Sequence, residues 1–164
     1  MSKTITATFK TRMAAEKTLR ELERHGFTEE QISLVVTDQT RGKSFTIEEH
    51  SEADEGMAAG ATFGGLVGAV LAGVASAGTI VIPGLNLVVS GSLAGTLAGL
   101  GAGAATGGLL GTLIGAGIPE HEAKQYENEL KAGNILLAVD ADSKERAEMV
   151  EDILNKVDAY NIAA

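Results

Sequence analysis

The sequence predicts an α+β protein carrying a long helical insert, and three observations lead there. Period-two apolar runs followed by period-3.6 runs occur at both ends of the chain. The two ends resemble each other at an offset of 132 residues, so that Ala7 falls on Val139, Ala15 on Ala147 and Leu22 on Leu154. Between them lie 64 residues, Gly56 to Pro119, that contain no Asp, Glu, Lys, Arg or His. Strand, helix, strand at the front and again at the back is the split βαβ arrangement of a ferredoxin-like head. The boundaries that follow are 1–50 for the first half of the head, 51–118 for the insert and 119–164 for the second half.

At the front, Ile5, Ala7 and Phe9 alternate with threonines, the pattern of a half-buried strand. From Arg12 the period changes: Ala15, Leu19 and Leu22 line one face of a helix, and Gly26 followed by Phe27 stands where a C-terminal glycine and its apolar lock belong. His25, just before that glycine, reads as a cap residue favoured by the helix dipole. Thr28-Glu29-Glu30-Gln31 has the capping-box form, here one short turn. Ile32 to Thr37 is a β-branched strand, and Phe45 and Ile47 mark a hairpin partner for it after the turn at 38–42.

At the back, Pro119 opens a helix with Ala123, Tyr126 and Leu130 on its inner face and Gly133 at its end. Tyr126 is therefore expected in the core. Ile135 to Val139 is a strand, Asp142 or Ser143 caps a last helix with Ala147, Val150 and Leu154 facing inward, and Ala159 to Ile162 makes a short final strand.

The insert holds 18 of the 21 glycines. They fall on two registers with a step of four: Gly56, Gly60, Gly64 and Gly68, then Gly91, Gly95, Gly99, Gly103, Gly107, Gly111 and Gly115. A step of four is a ridge on an α-helix, so the pattern predicts two helices with smooth seams, a glycine zipper. Ile80 to Asn86, with Pro83-Gly84 at its centre, is the turn between arms Gly56–Ile82 and Val88–Gly117. Glycine inside a helix costs about 0.8 to 1 kcal/mol relative to alanine, so close contact with another helix must offset the seam. Two partners are available: copies of the chain itself, or lipid, since each arm exceeds the roughly 20 residues that span a bilayer. Absent Trp or Tyr belts and absent flanking Lys or Arg weigh against lipid.

The net charge of −9 and pI near 4.8 argue against nucleic acid and against charge-driven docking on anionic lipid. The chain has no cysteine, which excludes disulfides and thiolate metal sites and fits a reducing compartment. Met1 to Ile5 lacks an apolar signal segment, so residence facing the cytoplasm is expected.

No catalytic constellation emerges and no cofactor is expected. Gly101 to Gly107 misses the dinucleotide fingerprint by one position and continues the zipper. Gly42-Lys43-Ser44 ends like a P-loop, but Thr37 stands where that motif needs glycine. His50 at one foot of the insert, with Glu120, His121 and Glu122 at the other, could converge on a divalent cation. The plainer reading of these residues is a solvated acidic collar.

Several of these segments together resemble the bacterial general stress proteins typified by heat-induced and low-temperature-induced members. They are Val81-Ile82-Pro83-Gly84-Leu85, the four-step glycines from Gly91 to Gly117, the run Gly117-Ile118-Pro119-Glu120-His121-Glu122-Ala123-Lys124-Gln125-Tyr126-Glu127, Gly133 to Val139, and Thr28 to Ile32. The resemblance implies a small, stress-responsive, often membrane-linked protein without catalytic residues. The expected function is thus a non-enzymatic protein that self-assembles in or on a membrane. A soluble homo-oligomeric scaffold or filament, and a regulatory module holding a small molecule in its head, are the alternatives.

Overall fold

The computed structural model describes residues 3–37, 79–82, 87–94, 108–115, 117–157 and 159–163. Strand β1 (Lys3–Phe9) leads into helix α1 (Arg12–Arg24), a 3-10 turn (Glu29–Gln31) and strand β2 (Ile32–Thr37). Strands β3 (Thr79–Ile82) and β4 (Leu87–Ser90) follow, then helices α2 (Gly108–Gly115) and α3 (Glu120–Lys131). Strand β5 (Ile135–Ala141), helix α4 (Lys144–Lys156) and strand β6 (Tyr160–Ala163) complete the described elements.

The signals at the helix ends act as the sequence suggests. Thr11 caps α1 by accepting from the Ala14 amide at 3.3 Å, and Ser143 caps α4 by accepting from the Arg146 amide at 3.2 Å. Gly26 takes φ +79°, which lets the Phe27 amide return to the Leu22 carbonyl at 3.1 Å and end α1. His25 is the C-cap, its Nδ1 lying 2.7 Å from the Glu21 carbonyl. The Thr28 amide donates to Gln31 Oε1 at 3.2 Å, fixing the short turn.

The six strands form one antiparallel sheet in the order β3-β4-β2-β5-β1-β6. β5 sits centrally, with Ile5 opposite Val139 on one side and Leu34 opposite Leu137 on the other. Alternate residues supply two cores. Ile5, Ala7, Phe9, Leu34, Leu137 and Val139 pack with Leu19, Leu22, Val150 and Leu154 of α1 and α4. Val35, Leu87, Val89, Leu136 and Ala138 pack on the opposite face with Leu113 of α2 and Ala123, Tyr126 and Leu130 of α3. The result is helix, sheet, helix in three layers. Every residue of β2 is therefore buried, where a sheet with one wet face would alternate.

The insert departs from expectation at its centre. Thr79–Ile82, expected as the end of the first arm, and Leu87–Ser90, expected as the start of the second, are strands β3 and β4, paired Ile82 to Leu87 and Thr79 to Ser90. These runs are rich in β-branched residues, which favour the pleated surface, and β2 offers an edge on which β4 pairs from Val35–Val89 to Thr37–Leu87. The expected break at Pro83-Gly84 falls between two strands and not between two helices. Among the described residues of the expected insert 51–118, Thr79–Ile82 and Leu87–Ser90 belong to the sheet, and Leu93, Ala94, Leu113 and Ile118 belong to its second core. The expected hairpin partner at Phe45–Ile47 lies outside the described residues, and β2 has β4 and β5 as neighbours.

Candidate functional site

The second face of the sheet carries a line of polar side chains beneath α2 and α3. Asp140, the single acid within β5, is half-buried and accepts two short hydrogen bonds: from Thr4 Oγ1 to Oδ1 at 2.7 Å and from Ser92 Oγ to Oδ2 at 2.6 Å. Such hydroxyl-to-carboxylate bonds are the stronger, charge-assisted kind. With the Ser92 proton directed at Asp140, the Ser33 hydroxyl donates to Ser92 Oγ at 3.0 Å, and the Leu93 amide donates to Ser33 Oγ at 3.0 Å. The Leu34 amide donates to Ser90 Oγ at 3.3 Å. Ser90 at the end of β4, and Ser92 and Leu93 just past it, are thereby tied to β2 and β5, and through Asp140 to β1.

Gly91 makes that tie possible. Its φ is +78°, and a Cβ placed on it would stand 1.8 Å from the Ile32 carbonyl oxygen and 2.9 Å from Ser33 Cα. Only a residue without a side chain lets the chain turn this closely against β2. Expected as the first zipper glycine of a helical arm, Gly91 instead serves a turn. Gly111 and Gly115 do lie on a helix, α2, where a Cβ on Gly111 meets nothing within 4 Å. Gly56, Gly60, Gly64, Gly68, Gly95, Gly99, Gly103 and Gly107 lie outside the described residues.

A second polar group sits toward β6. Tyr126 is fully buried, and its hydroxyl lies 2.5 Å from Thr6 Oγ1 and donates to the Asn161 carbonyl at 3.3 Å. Thr8 Oγ1 donates to the Tyr160 carbonyl at 3.1 Å and accepts from Asn161 Nδ2 at 3.4 Å. Asn161 has φ +51° at the register shift between Thr6 and Thr8, a bulge that Asn tolerates better than most residues. Burial pushes the Tyr126 phenol pKa up, against the opposing effect of the Thr6 hydrogen bond. The phenol is held neutral and serves as a peg between α3, β1 and β6.

Of the collar residues, Glu120, His121 and Glu122 are described, at the start of α3. Glu120 pairs with Lys124 at 2.8 Å, which lowers the Glu120 pKa and raises that of Lys124, and Glu122 lies 3.6 Å from His121. His50 is outside the described residues. Among the described residues, no group of three or more His, Cys, Asp or Glu side chains is arranged to hold a metal. One open cleft of about 340 Å³ lies between α1 and α4, where Lys17, His25 and Lys156 mix with Glu21 and Asp152. Its charges are of both signs, and they leave no single ligand chemistry favoured.

The residues missed from sequence are Thr4, Thr6, Thr8, Ser33, Ser92 and Asp140. For the three threonines the one available signal was the absence of any charged residue between Thr4 and Phe9; Ser33, Ser92 and Asp140 carried none. The chain matches no protein-family model, no curated protein and no solved structure.

Proposed function

We propose that this chain is a non-enzymatic stress-response protein of the general stress type, which self-assembles through its uncharged glycine-rich segments. The observation that carries the reading is the charge-free stretch Gly56–Pro119; left uncovered, so many apolar residues would exceed the few hundred Å² of apolar patch that a soluble monomer exposes. The sheet domain accounts for the burial of part of it, residues 87–90, 93–94, 112–113 and 118. In this reading the interface is made by segments 56–78 and 95–107, with Gly56, Gly60, Gly64 and Gly68 and Gly95, Gly99, Gly103 and Gly107 in register, and close helix contact between copies is the gain that would offset their cost.

The ferredoxin-like reading of the head rests on two features. β2, β5, β1 and β6 lie adjacent in that order, and α1 and α4 share one face of the sheet. Arg146 in the first turn of α4 donates to the Gly26 carbonyl past the end of α1 at 3.2 Å, so the two helices run antiparallel, as two split βαβ halves require. In this reading the resemblance to the stress proteins extends through α3, whose Glu120–Glu127 run carries it. Residence is on the cytoplasmic side, in a homo-oligomer or on a membrane surface.

Light scattering on purified protein tests the assembly. A large species for the wild-type chain, reduced in Gly103→Leu and retained in Leu97→Ala, is the expected outcome. A monomer, or normal assembly of both variants, sinks the zipper as the interface.

A further inference from the structure

We propose that β6 is an exchangeable strap: it leaves β1 while the rest of the sheet stays folded, and the edge it uncovers takes β6 of a second copy. The exchange uses neither glycine register and stands apart from the assembly reading. β1 pairs with β5 without a break from Lys3–Ala141 to Phe9–Ile135, whereas it pairs with β6 at Thr6–Ala163 and Thr8–Tyr160, with a register shift between them. None of the four residues of β6 is fully buried; Tyr160 and Asn161 are exposed, and Ile162 is the strand's contribution to the first core. A segment that buries so little opens at a fraction of the global stability. β1 stays behind, because Ile5, Ala7 and Phe9 remain in the core with α1 and α4.

The edge left open demands a strand. Thr6, Thr8 and Tyr126 are buried, and their hydroxyls address β6: Thr6 Oγ1 lies 3.4 Å from the Ala163 carbonyl, Thr8 Oγ1 donates to that of Tyr160 and Tyr126 to that of Asn161. Buried hydroxyls without partners and a bare strand edge are both costly. The same contacts specify the occupant. Asn161 Nδ2 donates to Thr8 Oγ1 from a backbone at φ +51°, and the Lys10 ammonium lies 4.2 Å from the centre of the Tyr160 ring. A strand without Asn at the bulge and a ring before it forfeits both, so the occupant that fits is β6 itself, of the same chain or of another. The two arrangements make the same bonds and differ in the connection from α4, where the Ala159 amide turns back to the Val157 carbonyl at 2.7 Å. That tight turn closes the strap within one chain and opens as the hinge of an exchanged pair, which rising protein concentration favours.

The chain has no cysteine, and Lys10 and Tyr160 are both exposed, so single-cysteine variants of the full chain test the exchange. Lys10→Cys and Tyr160→Cys are mixed, incubated and treated with a short bismaleimide; Lys144→Cys, at the other end of α4, mixed with Tyr160→Cys measures chance encounter. Neighbouring strands hold two thiols at an effective concentration of about 1 mM, so at about 10 µM protein an exchanged pair couples about 100-fold faster than the control. A covalent heterodimer formed at that excess, read on a denaturing gel, is the expected result. Equal coupling in the two mixtures, or coupling only when Lys10→Cys and Tyr160→Cys share one chain, would overturn the proposal. Assembly through the glycines brings both mixtures together alike, so the comparison stands whatever light scattering shows.

Discussion

Gly91 and Gly111 share one four-step register, yet their surroundings predict opposite responses to the same substitution. At Gly91 an alanine must adopt φ +78° and place its Cβ 1.8 Å from a backbone oxygen. The left-handed backbone costs about 1 to 2 kcal/mol. Overpacking adds about 1 to 3 kcal/mol, because the atoms it meets, Ile32 O and C and Ser33 Cα, are main-chain atoms of a buried strand that cannot rotate away. A loss of about 2 to 5 kcal/mol follows, which for a chain of this size lowers Tm by roughly 5 to 15 °C. At Gly111 the Cβ meets open space inside a helix, and the gain in helix propensity is about 0.8 to 1 kcal/mol, raising Tm by a few degrees. Thermal unfolding followed by far-UV circular dichroism reads both variants. Equal shifts, or a stabilised Gly91→Ala, would refute the reading of Gly91 as a turn against β2.

Three other predictions use the same measurement or a simple companion. Asp140→Ala leaves the Thr4 and Ser92 hydroxyls without their acceptor and should cost about 1.5 to 3 kcal/mol; combined with Ser92→Ala, the effects should fall short of additive in urea denaturation. Tyr126→Phe should cost about 1 kcal/mol at neutral pH through the lost bonds to Thr6 and Asn161. Because the folded pKa of Tyr126 is raised above 10.0, the fold favours the protonated phenol. That contribution is present below pH 10 and is lost as pH rises through the raised value, so the urea midpoint of the wild-type chain should fall at high pH and that of the variant should fall less. Zinc, manganese or calcium titrated into the protein should give no binding heat if Glu120, His121 and Glu122 form only a collar, and a saturable signal would reopen the metal reading.

Those elements whose signals are local were legible in the sequence. The period of three to four in Ala15, Leu19 and Leu22, the Gly26-Phe27 lock and the Ser143 cap each act within one turn, and the structure uses them as such. Strands β3 and β4 were hidden because they lie between the two glycine registers and read as the ends of the helical arms on either side. The four-step glycines on both sides favour helix, the β-branched runs at Thr79–Ile82 and Leu87–Val89 favour strand, and the decision falls to an edge of β2 some 50 residues away in sequence. The polar line under α3 was hidden for a similar reason. Threonines opposite Ile5, Ala7 and Phe9 read as a wet face until a second helical layer covers them, and nothing near Thr6 in sequence announces Tyr126.

The position of β5 at the heart of the sheet has a consequence for the birth of the protein. Within this sheet β1 has only β5 and β6 as neighbours, and β2 has β4 and β5; β1 therefore waits for partners that begin at Ile135. Pairing over such sequence separations is slow. At about 5 to 20 residues per second, the uncharged residues through Gly78 emerge from the ribosome roughly 3 to 13 s before β5 is complete. During that interval the most apolar part of the chain precedes the strand that organises the domain around it, so the nascent chain, more than the finished fold, sets the demand for protection from aggregation.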